Sequence, residues 1–194
     1  MLRQVQAVDP AAAGRKLAAG RAAGCAVPIE YVGSDAEALP VADASVDHVL
    51  STWTLCTIPD AMRALAEVRR VLRPGGAFRF VEHGLAPDPG VARLQQLLTP
   101  LQRRAFGGCH LDRRIDQLVA EAGLELTRLD TYYMKGPRPL GYTFEGVATR
   151  PLRPACSVLA RVAGDPNRGQ APDTGGRTLW HAYLDCGTSP ENHR

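Results

Sequence analysis

The sequence lacks several features that would assign the chain to whole classes of protein. No apolar run approaches the roughly 18 residues that a membrane-spanning helix needs, and the first residues lack the hydrophobic region of a signal peptide. A net charge of +3 over 194 residues is too small to indicate a nucleic-acid partner or a membrane surface. The composition is therefore that of a soluble globular protein with room for one domain and a modest appendage.

The cysteines follow none of the spacings that indicate a disulfide framework or a zinc knuckle. They are odd in number, scattered and without a C-x-x-C pair: Cys25, Cys56, Cys109, Cys156 and Cys186. We therefore expect no metal site, and a reducing cytoplasm is the default location.

One stretch organises the rest of the chain as strand, helix and strand. Residues 46–51 are a short apolar run rich in β-branched residues, and Asp60 is the predicted N-cap of the helix that follows. Proline and glycine at residues 73–76 end that helix, and residues 77–82 form the second strand. Such a unit needs a right-handed crossover and parallel pairing of its two strands.

Ligands in an open α/β sheet bind beyond the carboxyl ends of the strands, which places residues 51–56 and 82–84 on one rim. Apolar periodicity and turn residues also predict the surrounding elements. These are strands at 3–8, 28–33, 124–129 and 142–149, the last suited to an edge or antiparallel position, and helices at 11–23, 87–106 and 112–123, the last capped by Asp112. Beyond residue 150, proline and glycine are interleaved, and we expect a mostly disordered tail over 150–194 with short elements only at 156–163 and 178–186.

Three segments resemble the class I S-adenosylmethionine-dependent methyltransferases: residues 33–40 (GSDAEALP), 43–47 (DASVD) and 67–76 (EVRRVLRPGG). More narrowly, they resemble the type 11 methyltransferase domains that include the ubiquinone/menaquinone biosynthesis enzymes. Residues 82–84 and 107–112 are similar to a subgroup related to thiol and phospholipid methyltransferases. The resemblance implies a Rossmann-like α/β domain of three α-β-α layers over residues 1–149. It also implies S-adenosylmethionine as cofactor and a small or lipophilic molecule as methyl acceptor.

The resemblance assigns the nucleoside part of the cofactor to the ends of two strands. Asp9, followed by Pro10, matches the acidic residue that accepts hydrogen bonds from both ribose hydroxyls, a role that suits a group with acceptors only. Asp35 matches the residue that accepts from the adenine amino group, and the Ala36 N–H would donate to a ring nitrogen. Read without the resemblance, Asp9-Pro10 is also an ordinary turn and Asp35 an ordinary helix N-cap.

The remaining site residues follow the two central strands. Ser51 and Thr52 match backbone positions near the methionine moiety, and Trp53 would line the floor beside the sulfonium, although it could equally be packed core. A thiol acceptor needs little help, whereas a phenol or an alcohol asks for a general base. The candidates are His83 on the rim and His110 in the segment expected to cover the pocket, each of which could instead be an ordinary polar residue.

The chain departs from the family at its beginning, where a strand and a G-x-G-x-G loop should precede the acidic residue. Only eight residues precede Asp9, and none is glycine. We therefore expect a domain that lacks its first strand and glycine-rich loop, as a truncated gene product, a wrongly assigned start or a degenerate relative. The alternative to an enzyme is a catalytically silent protein of this fold with impaired cofactor binding. A nicotinamide-dependent dehydrogenase would require a G-x-G-x-x-G loop that the sequence lacks.

Overall fold

The computed structural model describes residues 3–105 and 107–152, and the backbone of residues 177–181. Within these residues helices and strands alternate over most of the chain. In chain order the elements are β1 (Gln4–Val8), α1 (Ala12–Ala23), β2 (Ile29–Gly33), β3 (Val46–Thr52), α2 (Ala61–Val71), β4 (Leu72–His83), α3 (Pro89–Ala105), α4 (Ile115–Glu121), β5 (Glu125–Tyr133), α5 (Arg138–Gly141), β6 (Tyr142–Thr149) and β7 (Arg177–His181). None of the described helices combines the length and the apolar character that crossing a bilayer requires.

The described strands form one sheet in the order β2-β1-β7-β3-β4-β6-β5. Every pair from β2 to β4 is parallel, whereas β6 runs antiparallel to both β4 and β5. The predicted α/β class is confirmed, and so is the antiparallel direction of β6, although the edge strand is β5. Because parallel strands end at the same edge of a sheet, the segments after β1, β2, β3 and β4 lie along one rim.

Strand β7 comes from the part of the chain that the sequence predicts to be a tail. It pairs in parallel with β1 on one side and with β3 on the other. The family resemblance implies that the strand the sequence lacks would lie between β1 and β3, and in the structure a segment from the far end of the chain occupies this position. Residues 153–176 and 182–194 of the predicted tail lie outside the described residues.

Helix α2 supplies much of the core beneath the central strands. The Asp60 carboxylate accepts a hydrogen bond from the Arg63 N–H at 2.9 Å, which confirms the predicted N-cap. The buried residues of the helix are Ala61, Ala64, Leu65, Val68 and Val71. Leu65, Val68 and Val71 pack in the same cluster as Phe78 and Phe80 of β4, which are almost completely buried.

A charged cluster on α2 holds the long connection between β2 and β3. The Glu67 carboxylate accepts a hydrogen bond from the Leu39 N–H at 2.8 Å, and Arg70 donates to the Leu39 and Val41 carbonyls at 2.9 and 2.8 Å. Arg70 also forms ion pairs with Glu67 and Asp43. The loop over residues 35–43 is therefore anchored to α2 by hydrogen bonds to its backbone as well as by charge.

The starts of α4 and β4 differ from their sequence predictions. Helix α4 begins at Ile115 with Arg114 at the N-cap position and no side-chain cap, so the prediction that Asp112 caps it is wrong. Strand β4 already begins at Leu72 and includes the predicted turn, where Gly75 has a φ of 80°. A glycine tolerates this left-handed backbone without strain, which lets the strand pass through the turn.

Candidate active site

A buried carboxylate organises the loop that follows β3. Glu82 lies near the end of β4 with 0% of its surface exposed. It accepts hydrogen bonds from the Ser51 hydroxyl at 2.7 Å and from the Thr54 and Cys56 N–H groups at 3.1 and 3.2 Å. Burial raises the pKa of Glu82, and these donors oppose the shift. The carboxylate thus joins the ends of β3 and β4 and satisfies polar groups that the loop would otherwise bury unpaired.

Trp53, the first residue of the loop after β3, has a strained backbone and lies against His83, a predicted catalytic residue. Its φ of 54° is unusual for a bulky side chain and costs on the order of 1–3 kcal/mol, so the surrounding contacts must hold it. Its N–H donates to the Val81 carbonyl at 2.9 Å, and its ring centroid lies 4.3 Å from that of His83. The half-buried Trp53 is therefore at the rim rather than in the core.

The ends of β1 and β2 lie side by side on the same rim. The Asp9 N–H donates to the Gly33 carbonyl at 3.2 Å, which joins the two strand ends directly. The Asp9 carboxylate accepts a hydrogen bond from the Ala11 N–H at 2.7 Å, and the Asp35 carboxylate accepts one from the Glu37 N–H at 2.8 Å. Asp9 is buried and Asp35 exposed, so the two carboxylates follow neighbouring strands at different depths.

A segment after α3 docks onto the loop that Glu82 holds. The His110 N–H donates to the Cys56 carbonyl at 2.7 Å, and the Arg113 guanidinium donates to the carbonyls of Leu55 and, at 3.0 Å, Pro59. Burial and the nearby Arg113 lower the pKa of His110, which favours its neutral form. The segment therefore brings a neutral imidazole to this end of the sheet.

The same docking collects two thiols and an imidazole. Donor atoms of Cys56, His83 and Cys109 all lie within 4.8 Å of one another, and both thiols are free and buried. The hydrogen bond between them lowers the pKa of Cys109, helped by His83 and Arg113, and raises the pKa of Cys56. The Cys109 sulfur is thus the one that ionises more readily, and the Cys56 thiol donates a hydrogen bond to it.

Comparison with known proteins identifies the fold that carries this rim. A methyltransferase domain family matches residues 1–80. A SAM-dependent methyltransferase from Methanosarcina mazei superposes with a TM-score of 0.61 at 19% identity, over 77% of this chain and 83% of that one. The sheet has the fold of the class I methyltransferases. The Rossmann-like fold expected from the sequence is thereby confirmed, and the match over residues 1–80 agrees with the resemblance seen in the sequence.

Two groups of relatives resemble the chain in sequence. The human thiol S-methyltransferase TMT1A is 42% identical over 90 residues, which are 46% of this chain and 37% of that protein. The ubiquinone/menaquinone biosynthesis C-methyltransferase UbiE of Roseobacter denitrificans is 32% identical over 133 residues, which are 66% of this chain and 51% of that protein. The chain therefore spans only part of the length of the curated relatives that it matches.

The same fold also occurs in a protein that is named for another reaction. The [4+2]-cyclase SpnF superposes with a TM-score of 0.60 at 17% identity, over 78% of this chain and 67% of that one. Fold alone therefore does not decide the chemistry of a class I methyltransferase sheet, and the site has to be argued from its residues.

The structure distributes the predicted site residues over two parts of one rim. Asp9, Pro10, Asp35 and Ala36 follow β1 and β2, while Ser51, Thr52, Trp53 and His83 end or follow β3 and β4, with His110 in the docking segment. A cavity of about 30 Å³ reaches between the two parts, since Val8, Ala36, Ser51 and Thr54 are among its lining residues. The predicted residues thus belong to neighbouring loops.

Sequence reasoning placed Glu82 and Cys56 on the rim but assigned no role to them or to Cys109. Glu82 occupies an inward position of β4, where a charged residue among apolar neighbours was a usable signal, because a buried carboxylate must have donors around it. No comparable signal existed for the cysteines, which lie far apart in sequence and meet only through the docking of the segment after α3.

Proposed function

We propose that the chain transfers a methyl group from S-adenosylmethionine to a small or lipophilic molecule. The observation that carries the proposal is the position of Asp9 and Asp35 after neighbouring parallel strands, on the rim that also bears the loop held by Glu82. The names of the relatives, a thiol S-methyltransferase and a ubiquinone/menaquinone biosynthesis C-methyltransferase, are consistent with this class of acceptor. Nucleic acid is not part of the proposal, because the net charge of the chain is small.

The nucleoside of the donor would be held by the ends of β1 and β2. Asp9 and Asp35 each accept one hydrogen bond from a nearby backbone N–H, and a carboxylate offers about four acceptor sites. Each carboxylate therefore has further acceptor sites, which Asp9 would offer to the ribose hydroxyls and Asp35 to the adenine amino group. The anchoring of the following loop to α2 fixes where Ala36 presents its N–H.

The methionine part of the donor would lie beside the loop after β3. The Ser51 hydroxyl is bonded to Glu82, so Ser51 and Thr52 would contribute backbone groups while Trp53 forms a wall. S-Adenosylmethionine supplies an activated methyl group on a sulfonium when it is bound. The task left to the protein is to align the acceptor with that methyl group, which proximity and orientation accomplish.

The acceptor would approach from the side of the docking segment. His110 is half-buried and its lowered pKa keeps the imidazole neutral at neutral pH, so it could accept a proton from a hydroxyl or a thiol. His83 lies across the same loop against Trp53 and is the second candidate base. An acceptor that is already ionised would need neither residue.

Calorimetric titration with S-adenosylhomocysteine tests the donor half of the proposal. We expect saturable binding to the full chain, weakened by Asp9→Asn and Asp35→Asn. A charge-assisted hydrogen bond contributes about 1.5–3 kcal/mol, which corresponds to about a 10- to 150-fold loss of affinity. The matched control is Asp130→Asn, because that carboxylate is exposed on β5 and ion-paired with Arg128.

The outcomes of this titration separate the enzyme from a silent relative. Absence of binding to the parent chain would refute the proposal and favour a catalytically silent protein. Binding that is equally strong in the Asp9 and Asp35 variants would refute the assignment of these two residues to the nucleoside.

A further inference from the structure

We propose that Cys56, His83 and Cys109 form a binding site for a thiophilic divalent cation, of which Zn²⁺ is the best fit. Their donor atoms converge from the loop after β3, the end of β4 and the segment after α3. Two sulfurs and one imidazole nitrogen are a common zinc donor set, with the fourth position left to water or a substrate. The proposal goes beyond methyl transfer and does not depend on it. With His83 bound to the metal, His110 would be the remaining candidate base for an acceptor that needs one.

The distances are close to those of a tetrahedral ion. The three donor atoms lie within 4.8 Å of one another. With Zn–S bonds of about 2.3 Å, two sulfurs on a tetrahedral ion are about 3.8 Å apart, so side-chain movements of about 1 Å close the site. Cys56 and Cys109 are 1% and 6% exposed, which shields bound metal from competing water.

The backbone that carries the two thiols is held in advance. The N–H of Cys56 donates to Glu82 at 3.2 Å, and its carbonyl accepts from the His110 N–H at 2.7 Å. Gly108 allows the segment before Cys109 to come close, because a Cβ there would lie 3.1 Å from the Thr57 carbonyl oxygen. A site whose supporting hydrogen bonds exist before the metal arrives loses little conformational entropy on binding.

Charge also favours a dication at this place. Two thiolates would neutralise Zn²⁺, so the bound cluster would bury no net charge of its own. Glu82 and Arg113, whose charges act on the two thiols, have opposite signs. An ordinary hydrogen-bonded pair of thiols would need no imidazole beside it, whereas the third donor completes a set of metal ligands.

Titration of the reduced full chain with Co²⁺, followed by displacement with Zn²⁺, tests the proposal without any cofactor. We expect one Co²⁺ per chain and a sulfur-to-cobalt charge-transfer band in the near ultraviolet. Cys56→Ser and Cys109→Ser should each reduce that band at least twofold. His83→Ala should preserve the band at saturation, because both sulfurs remain. It should weaken the affinity for Co²⁺ by roughly 10- to 100-fold or more, since even the loss of a residue that only hydrogen-bonds a metal ligand costs that much.

His110→Ala is the matched control, because this imidazole is adjacent in sequence to Cys109 but does not belong to the cluster. Its affinity for Co²⁺ should equal that of the parent chain. A parent chain without the band would overturn the proposal, and so would a band that both serine variants retain, since other cysteines would then bind the ion. Circular dichroism checks that each variant is folded. If the serine variants fail to fold, unchanged affinity in His83→Ala overturns the site.

Discussion

Replacement of Glu82 by glutamine would remove one acceptor from the centre of the rim and change little else in shape. The glutamine oxygen can take the place of the carboxylate oxygen that accepts from Ser51 and Thr54. In the parent chain the Cys56 N–H donates to the second carboxylate oxygen, Oε2, at 3.2 Å. In the variant the amide nitrogen takes the place of Oε2 and faces this N–H. Two donors would oppose each other in a place from which water is excluded.

The structure sets the size of the expected effect. One hydrogen bond to a charged group is lost, which costs about 1.5–3 kcal/mol. Release from the cost of burying a carboxylate, which raises its pKa, offsets part of this loss. We therefore expect Glu82→Gln to lower the free energy of unfolding by about 1–3 kcal/mol and to loosen the loop that bears Trp53.

Equilibrium unfolding in urea at pH 7, followed by circular dichroism, measures this change. Glu145→Gln is the control, because that carboxylate lies on the adjacent strand β6 and accepts one hydrogen bond from the exposed Tyr132 at 3.1 Å. The control should remain within about 0.5 kcal/mol of the parent. If Glu82→Gln were equally close to the parent, Glu82 would not act as an ionised acceptor, and the argument for a preorganised loop would fail.

Two further predictions concern the surroundings of the site. Gly84→Ala should lower the free energy of unfolding by about 1–3 kcal/mol, because its Cβ would lie 2.6 Å from the Phe144 ring and 2.7 Å from the Arg113 carbonyl oxygen; a thermal melt unchanged from the parent would contradict this. Glu67→Gln should cost about 1–2 kcal/mol at pH 7. The hydrogen bond from Arg70 lowers the pKa of Glu67, so its stabilisation is complete above the unfolded-state pKa and lost as the pH falls through the folded-state value. The stability difference from the parent should therefore vanish in acid, and a difference independent of pH would refute the ion-pair account.

Local signals in the sequence predicted the central unit well. An aspartate before an apolar stripe of helical spacing is sufficient to place the start of α2, because the cap acts through nearby backbone groups. The helix ends at Val71, so the proline and the two glycines that were expected to end it lie within β4. The prediction that Asp112 caps α4 was wrong, because a local signal competes there with a contact between distant residues. The segment that contains Arg113 is bound to the loop after β3, and this tertiary contact overrode the local capping preference.

The sequence by itself determined the class of fold, the order of its strands and longer helices as far as residue 149, and the strand ends at which Asp9, Asp35 and Trp53 lie. These features depend on short-range periodicity and on recognisable motifs, whereas the short helix α5 was not predicted. Only the tertiary structure decided the insertion of β7 between β1 and β3, because strand order depends on pairing between segments far apart in the chain. Only the tertiary structure also brought Cys56, His83 and Cys109 together. Each belongs to a different element, and no local pattern records which elements will meet.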